Sequence, residues 1–411
     1  MMRKLLSLSL LTLAVVGSLV ISFAQPAHAF SEEHRFLSEV WRIVDRSYVD
    51  DTFNDQNWWF VRQTALKKPL DTRDQTYDAI QDMLATLDDP FTRFLRPTQY
   101  RSLQMSTSGE LTGVGLQIAQ DETTGVLQVI APVVGSPADE AGIQSRDRIL
   151  KIDGIPTTEL SLDESAERMR GVVGSHVFLT VQHGEASPTD IDIVRDRISL
   201  NPVYTDVRSH NETNIGYIRL SQFNANATEE VSKAIDQLGQ DGAEAYVLDL
   251  RNNPGGLLQA GIDIARLWLD SGTIVYTVNR YGIQDQIEAL GDAMTDAPLA
   301  ILVNSGTASA SEILSGALQD NQRAVLIGEK TFGKGLIQSL FNLSDGSGLA
   351  VTVAKYETPD HHDIHRLGIA PDIEVASEPL RRSQVATDLD QQYEAAVEAL
   401  THSEVLASAL E

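Results

Sequence analysis

Apolar residues recur along this chain in rhythms that change with position. From residue 31 to 100 they keep helical spacing. Phe36, Val40, Ile43, Val44 and Tyr48 share one face, and further helices are predicted through Trp58–Leu66 and Tyr77–Leu87. Asp89-Pro90 and Arg96-Pro97 close this region. Between 103 and 187 the runs become short and strand-like, at Gly113–Ala119, Leu127–Ile130, Arg148–Ile152 and Val177–Gln182, with one small helix at Leu162–Met169. From 188 to 375 continuous apolar strands (Ala245–Leu250, Leu299–Val303, Ala324–Ile327) alternate with helices (Leu257–Leu269, Ala310–Leu318). That order predicts a layered α/β core. The tail from Glu378 is polar, with a helix expected over Gln391–Leu400 and packing at the surface.

The first 29 residues stand apart. Arg3 and Lys4 precede an apolar stretch from Leu5 to Phe23, and Ala27-His28-Ala29 follows. This is the pattern of a cleaved signal peptide. An uncleaved membrane anchor is the alternative, since the stretch is nearly long enough to span. No other segment is apolar enough to cross a bilayer. The expected divisions are therefore a signal peptide (1–29), a helical region (30–102), a β-rich module (103–187), the α/β core (188–377) and a helical tail (378–411).

Charge and composition narrow the function. The chain of 411 residues carries a formal net charge of −26, and loss of the leader makes it more negative still. Nucleic acid and anionic lipid are thereby disfavoured as partners. Cysteine is absent, which excludes disulfides, thiolate metal sites and a cysteine nucleophile.

The chemistry concentrates in two runs. In Val303-Asn304-Ser305-Gly306-Thr307-Ala308-Ser309-Ala310-Ser311-Glu312 a predicted strand gives way to a helix through a small-residue turn. A serine there sits at the positive end of the helix, where an oxyanion is stabilised. Lys334 follows 25 residues later in the glycine-rich loop Phe332-Gly333-Lys334-Gly335-Leu336-Ile337-Gln338. Together they point to a serine nucleophile with a neutral lysine as base. Free lysine has a pKa of about 10.4, so the site must lower it by desolvation. Apolar Phe332, Leu336 and Ile337 suit that demand, and neutral Gln338 can accept from the amine without adding negative charge. A third run, Leu248-Asp249-Leu250-Arg251-Asn252-Asn253-Pro254-Gly255-Gly256, ends another strand. Amides at Gly255 and Ala310 would make a two-donor oxyanion hole.

Other readings compete. Ser309-Ala310-Ser311-Glu312 is also a capping box, so Ser309 alone could merely cap its helix. The matching Lys334, Gln338 and glycine loop favour the nucleophile. His361 and His365 could share a helical face and hold a metal. Pro359 precedes them, and an exposed loop without metal is the favoured reading. Asp88-Asp89-Pro90 reads as a helix stop, and Asp249 as a strand residue holding the loop near Arg251.

Residues 103–187 resemble a PDZ domain. Gly113-Val114-Gly115-Leu116 matches the loop whose amides hold a peptide's terminal carboxylate, and Ser136-Pro137-Ala138-Asp139-Glu140-Ala141-Gly142-Ile143 and Asp147–Gly154 match its interior. Across the mature chain, the Asn-Asn-Pro-Gly-Gly loop, Gly-Thr-Ala-Ser-Ala-Ser-Glu, Gly-Lys-Gly-x-x-Gln and Gly368-Ile369-Ala370-Pro371-Asp372 resemble the C-terminal processing (tail-specific) serine peptidases. The resemblance implies a ClpP/crotonase-like α/β peptidase core with an inserted PDZ domain and a helical N-terminal region. It implies Ser309 as nucleophile, Lys334 as base, Gln338 as its orienting residue, Gly255 and Ala310 as oxyanion donors, Asp320 in a supporting position, and no cofactor. The family usually has glycine where this chain has His361, which puts the local backbone there in question.

Phe36–Asp50, Gln75–Ile80 and Leu87–Leu95 resemble the photosynthetic branch in particular. That implies a soluble enzyme of the thylakoid lumen or periplasm. Its substrate would be a membrane-associated protein with a free C-terminal tail, the photosystem II reaction-centre precursor. A general tail-specific protease shares the same chemistry. A non-catalytic PDZ binding or chaperone protein is disfavoured because serine and lysine are both present. A hydratase-like enzyme of the related α/β superfamily is disfavoured for want of an acyl-cofactor signature.

Overall fold

The structure is a computed structural model that describes residues 31–121, 124–210, 213–376 and 380–401. The leader and the last ten residues lie outside it. The chain divides into two compact units, residues up to 98 with 338–353, and 99–337 with 354 onward. Among the described residues no helix is long and apolar enough to cross a membrane.

In the first unit, helices Glu32–Ser47, Trp58–Ala65 and Arg73–Ala85 form where the helical rhythm predicts them. Each has a side-chain N-cap: Ser31, Asn57 and Thr72 accept from the amides of His34, Phe60 and Gln75. Their apolar faces bury Phe36, Leu37, Val40, Ile80 and Leu84 against Phe94, Leu349 and Val351. Strand Arg93–Leu95 pairs antiparallel with Gly348–Ala350. Asp89 does more than stop a helix. Its carboxylate accepts from Phe91 N, Thr92 Oγ1 and Thr352 Oγ1, which builds the turn into that strand.

The second unit holds two sheets that matter for function. One, in the order Leu116–Gln120, Leu127–Pro132, Arg148–Ile152, His176–Gln182, Thr189–Val194, closes over Leu127, Ile149, Val177 and Leu179. Because Thr189–Val194 pairs with His176–Gln182, this module extends past residue 187. At its other end residues 103–108 belong instead to helix Pro97–Ser108. Entry and exit strands Glu110–Gly113 and Asp196–Ser199 pair with each other, as an insertion requires. Leu116–Gln120 is an edge strand, and helix Leu162–Met169 packs near it.

The other sheet runs Val203–His210, Thr213–Leu220, Ala245–Asp249, Leu299–Val303, Val325–Gly328, Ile373–Glu374. Only its first pair is antiparallel. Its central strands are buried on both faces, so alternate residues serve opposite layers. Leu248, Ile301 and Val303 meet the helices Ala227–Gln240, Leu258–Trp268 and Ala310–Asp320. Val247, Ala300 and Leu302 meet the C-terminal helix Gln391–Thr401. This corrects the expectation of a surface tail. Tyr393, Ala396, Val397 and Ala399 are buried and supply the sheet's second cover, because a parallel sheet cannot leave one apolar face in water.

Candidate active site

Strand register brings two loops together. Asp249 pairs with Leu302, and Leu250 N–H donates to Leu302 O at 3.0 Å, so both strands end side by side. Asn252 and Asn304 exchange hydrogen bonds: Asn252 N to Asn304 Oδ1 at 2.9 Å, and Asn304 Nδ2 to Asn252 Oδ1 at 3.1 Å. Thr307 Oγ1 donates to Leu250 O, and Ala308 N to Asn253 O. A cleft of about 1240 Å³ borders these loops at Asn252, Asn304 and Ser305, but its wall is otherwise built by residues such as Tyr204, Arg208, Arg251 and Leu389, and neither Ser309 nor Lys334 lines it.

Ser309 stands half-exposed at the N-cap of helix Ala310–Asp320, with φ +59° and ψ −119°. A non-glycine residue holds such a conformation only where its surroundings enforce it, at a cost of about 1–3 kcal/mol. A sharp strand-to-helix turn of this kind presents a serine hydroxyl clear of the backbone. Gly255 lies directly against it. A Cβ on Gly255, whose φ is +91°, would come within 2.8 Å of Ser309 Cβ and 2.9 Å of Ala310 N. The two predicted oxyanion residues are thus neighbours at the serine. Ala310 N–H opens the helix and has no intrahelical acceptor. Gly255 N–H is already engaged, donating to Asn253 Oδ1 at 2.9 Å.

The loop 330–335, which has no regular secondary structure, carries the half-buried Lys334. A residue with no assigned chemical role in the sequence binds this loop to the serine. Glu312 is fully buried, and its carboxylate accepts four hydrogen bonds. Oε2 takes Ser309 N at 2.8 Å and Lys334 N at 2.9 Å. Oε1 takes Thr331 Oγ1 at 2.6 Å and Gly333 N at 2.7 Å. The capping box was visible in the sequence, but nothing local showed that the same carboxylate reaches a loop some twenty residues on.

Around the lysine, Leu336 is buried and Ile337 packs on the core, whereas Phe332 is 60% exposed. The expected apolar shield therefore comes from only part of the run. Gln338 lies in strand Leu336–Asn342, with a buried Nε2 that makes no hydrogen bond. Asp320 is not beside the serine. It ends the same helix about 15 Å away by helical rise, where its carboxylate accepts from Asp360 N at 3.0 Å. There it lines a separate cavity of about 420 Å³ with Thr358 and His362. His361 takes φ +61°, the left-handed conformation that explains a glycine preference at this position. Its ring stacks on Tyr276, and its Nδ1 lies 2.9 Å from Glu357 Oε2. Among the described residues no three His, Asp or Glu side chains converge as a metal site.

Arg251 joins the first loop to the C-terminal helix. Its guanidinium donates to Asp249 and Asp390, and Asp249 also accepts from Tyr217 OH at 2.6 Å. Burial alone would raise the Asp390 carboxyl. The bonds and charge of Arg251, with the amides of Ala386 and Tyr393, outweigh it and hold the carboxyl below its ordinary value. The stability Asp390 contributes is therefore complete above about pH 4, the unfolded value, and is lost as pH falls through the lower folded value. Asp390→Asn is expected to cost about 3 kcal/mol at neutral pH. It should also flatten the acid limb of stability in urea titrations run at several pH values.

In the insert, the Gly113–Leu116 loop is pinned through its carbonyls and a left-handed glycine. Gly115 has φ +81°, and a Cβ there would overlap Ser136. Gly115 O accepts from Val133 N and Ser136 Oγ, and Val114 O from Ala138 N.

A strained serine turn on a layered α/β sheet, with a β-rich insert whose strands close on their own core, defines a class: serine peptidases that carry a PDZ domain. The chain belongs to peptidase family S41, whose profile matches residues 214–375, and a PDZ profile matches 128–183. It is 57% identical over 408 residues to the carboxyl-terminal-processing protease of Picosynechococcus sp., covering 99% of each chain. The Synechocystis sp. carboxyl-terminal-processing protease is 58% identical over 391 residues, 94% of this chain and 91% of the relative. Among solved structures, one titled photosystem II D1 C-terminal processing protease matches at TM-score 0.58 and 40% identity, covering 91% of this chain and 99% of its own. The protein is a C-terminal processing serine peptidase with the fold class its sequence implied.

Proposed function

We propose that this protein is an exported endopeptidase that cuts tails from membrane-associated proteins with Ser309 as nucleophile and Lys334 as general base. One observation carries the dyad: a single buried carboxylate, Glu312, accepts from the backbone amides of both residues. In acylation, neutral Lys334 takes the Ser309 hydroxyl proton as Oγ bonds to the scissile carbonyl carbon. The oxyanion rests on Ala310 N–H and on Gly255 N–H, which it shares with Asn253 Oδ1. The ammonium of Lys334 then protonates the leaving amine. Water, deprotonated by the same lysine, releases the acyl group. Gln338 keeps its place as the orienting residue on the resemblance of its motif, and the position of Asp320 speaks against direct support of the serine.

The insert supplies tail recognition. The free edge of Leu116–Gln120 can accept an extended peptide as an added strand, and the Gly113–Leu116 loop can take its carboxylate. Leu116→Asp sets a like charge beside that carboxylate. It is expected to raise KM for a tailed substrate at least about tenfold with kcat unchanged. An unchanged KM in steady-state assays would remove this loop from substrate binding.

The photosystem II D1 title of the solved relative and the cyanobacterial relatives support the reaction-centre precursor as substrate, in the thylakoid lumen or periplasm. The test is mass spectrometry of that precursor incubated with the mature protein, with Ser309→Ala in parallel. One C-terminal cut, lost in the variant, supports the reading. Ser309-dependent cleavage of other tailed proteins but not this one would indicate general tail-specific proteolysis. Binding of tails without any cleavage would leave a PDZ binding protein.

A further inference from the structure

Irregular loops position a catalytic side chain only if their peptide groups are tied down. The amides of the lysine loop have named acceptors. Thr331 N donates to Ile369 O, Phe332 N to Thr307 O, and Gly333 N and Lys334 N to Glu312. On the carbonyl side Gly333 O accepts from Arg366 N, and Lys334 O is met by a different residue. Tyr356 OH donates to Lys334 O at 2.5 Å and lies 3.1 Å from Ser309 O. Ser309 O already receives the amides of Glu312 and Ile313, so the shorter bond to Lys334 O takes the single phenolic proton. Tyr356 is 1% exposed. Its position is fixed by pairing with Thr277 in the strand ladder and by its own N–H, which donates to Gly335 O. Burial, helped by the nearby Glu312 carboxylate, pushes its ionisation well above the ordinary tyrosine value, so it stays a donor throughout the working range.

We infer that Tyr356 is a positioning residue of the dyad: its buried hydroxyl holds the carbonyl of Lys334 close beside Ser309 O, while Glu312 holds the amides of both residues. Two side chains thus hold the peptide groups on either side of Lys334 and fix the reach of the lysine amine toward the serine. The inference rests on the Ser309–Lys334 reading above. Without the hydroxyl, Lys334 O loses its donor, the loop loosens, and the amine gains water. A better-hydrated amine keeps its proton to higher pH.

The experiment is steady-state cleavage of a tailed peptide by Tyr356→Phe across pH, beside the native enzyme and Ser309→Ala, with folding followed by circular dichroism. Tyr356→Phe is expected to lower kcat about 10- to 100-fold, leave KM unchanged, and move the ascending limb of the pH–rate profile to higher pH. Native kcat and an unmoved limb would overturn the inference. So would a rate that falls only in step with lost folded protein, or a variant that cannot be obtained folded, since either makes Tyr356 a packing residue alone. Cleavage retained by Ser309→Ala would defeat the dyad itself, an outcome separate from any result at Tyr356.

Discussion

Ser309→Ala is expected to lose cleavage by at least about 10⁴-fold while remaining folded. Lys334→Arg is expected to be equally inactive. The serine variant removes only the hydroxyl of the strained residue itself, with little packing at stake at a half-buried position. The arginine variant keeps length and charge, but a guanidinium cannot give up its proton to act as a base. The native rate should therefore climb with pH as Lys334 becomes neutral, and Lys334→Arg should show no such limb. Single-turnover peptide hydrolysis, with circular dichroism as the folding control, reads both. Hydrolysis by either folded variant would remove that residue from the mechanism.

Glu312→Gln is expected to be the most damaging change at a residue that touches no substrate. The carboxylate offers two acceptor oxygens to four donors, Ser309 N, Lys334 N, Gly333 N and Thr331 Oγ1. A glutamine has one acceptor oxygen. In either orientation its NH₂ group faces two of those donors inside a site of zero exposure. Two unsatisfied buried donors cost about 2–6 kcal/mol together. The displaced loop should lower kcat about 100-fold or more with KM little changed, because the loop proposed to bind tails lies elsewhere in the fold. A chemical-denaturation curve beside the kinetics checks both parts. Native kcat in a folded Glu312→Gln would show that the carboxylate merely caps a helix.

At the proposed oxyanion hole the loop's own folding matters as much as its glycine. Gly255 was legible as a close-approach glycine, and the structure sets it against Ser309 Cβ and Ala310 N. Yet its amide already serves Asn253 Oδ1, itself fixed by Asn253 Nδ2 donating to Leu220 O. A hydrogen-bond partner two residues away cannot be read from the presence of glycine. It depends on how the loop folds onto the strand end.

What the sequence determined by itself was local and periodic. The buried strands Leu299–Val303 and Ala245–Asp249 and the helices that follow them appear where continuous apolar runs and helical rhythm placed them, because a strand covered on both faces is apolar throughout. Ser309 and Lys334 were also legible as the candidate nucleophile and base, since they sit in short runs whose small residues have few other uses. Only the tertiary structure decided what joins those runs. Strand register set Asn252 against Asn304, a buried carboxylate bridged residues 309 and 334, and Tyr356 arrived from a strand 22 residues beyond the lysine. It also decided that the polar-looking C-terminal helix covers the sheet through Tyr393, Ala396 and Val397, with Asp390 locked to Arg251. Such pairings depend on which distant surfaces lose their water together, and neighbouring residues along the chain carry no record of that.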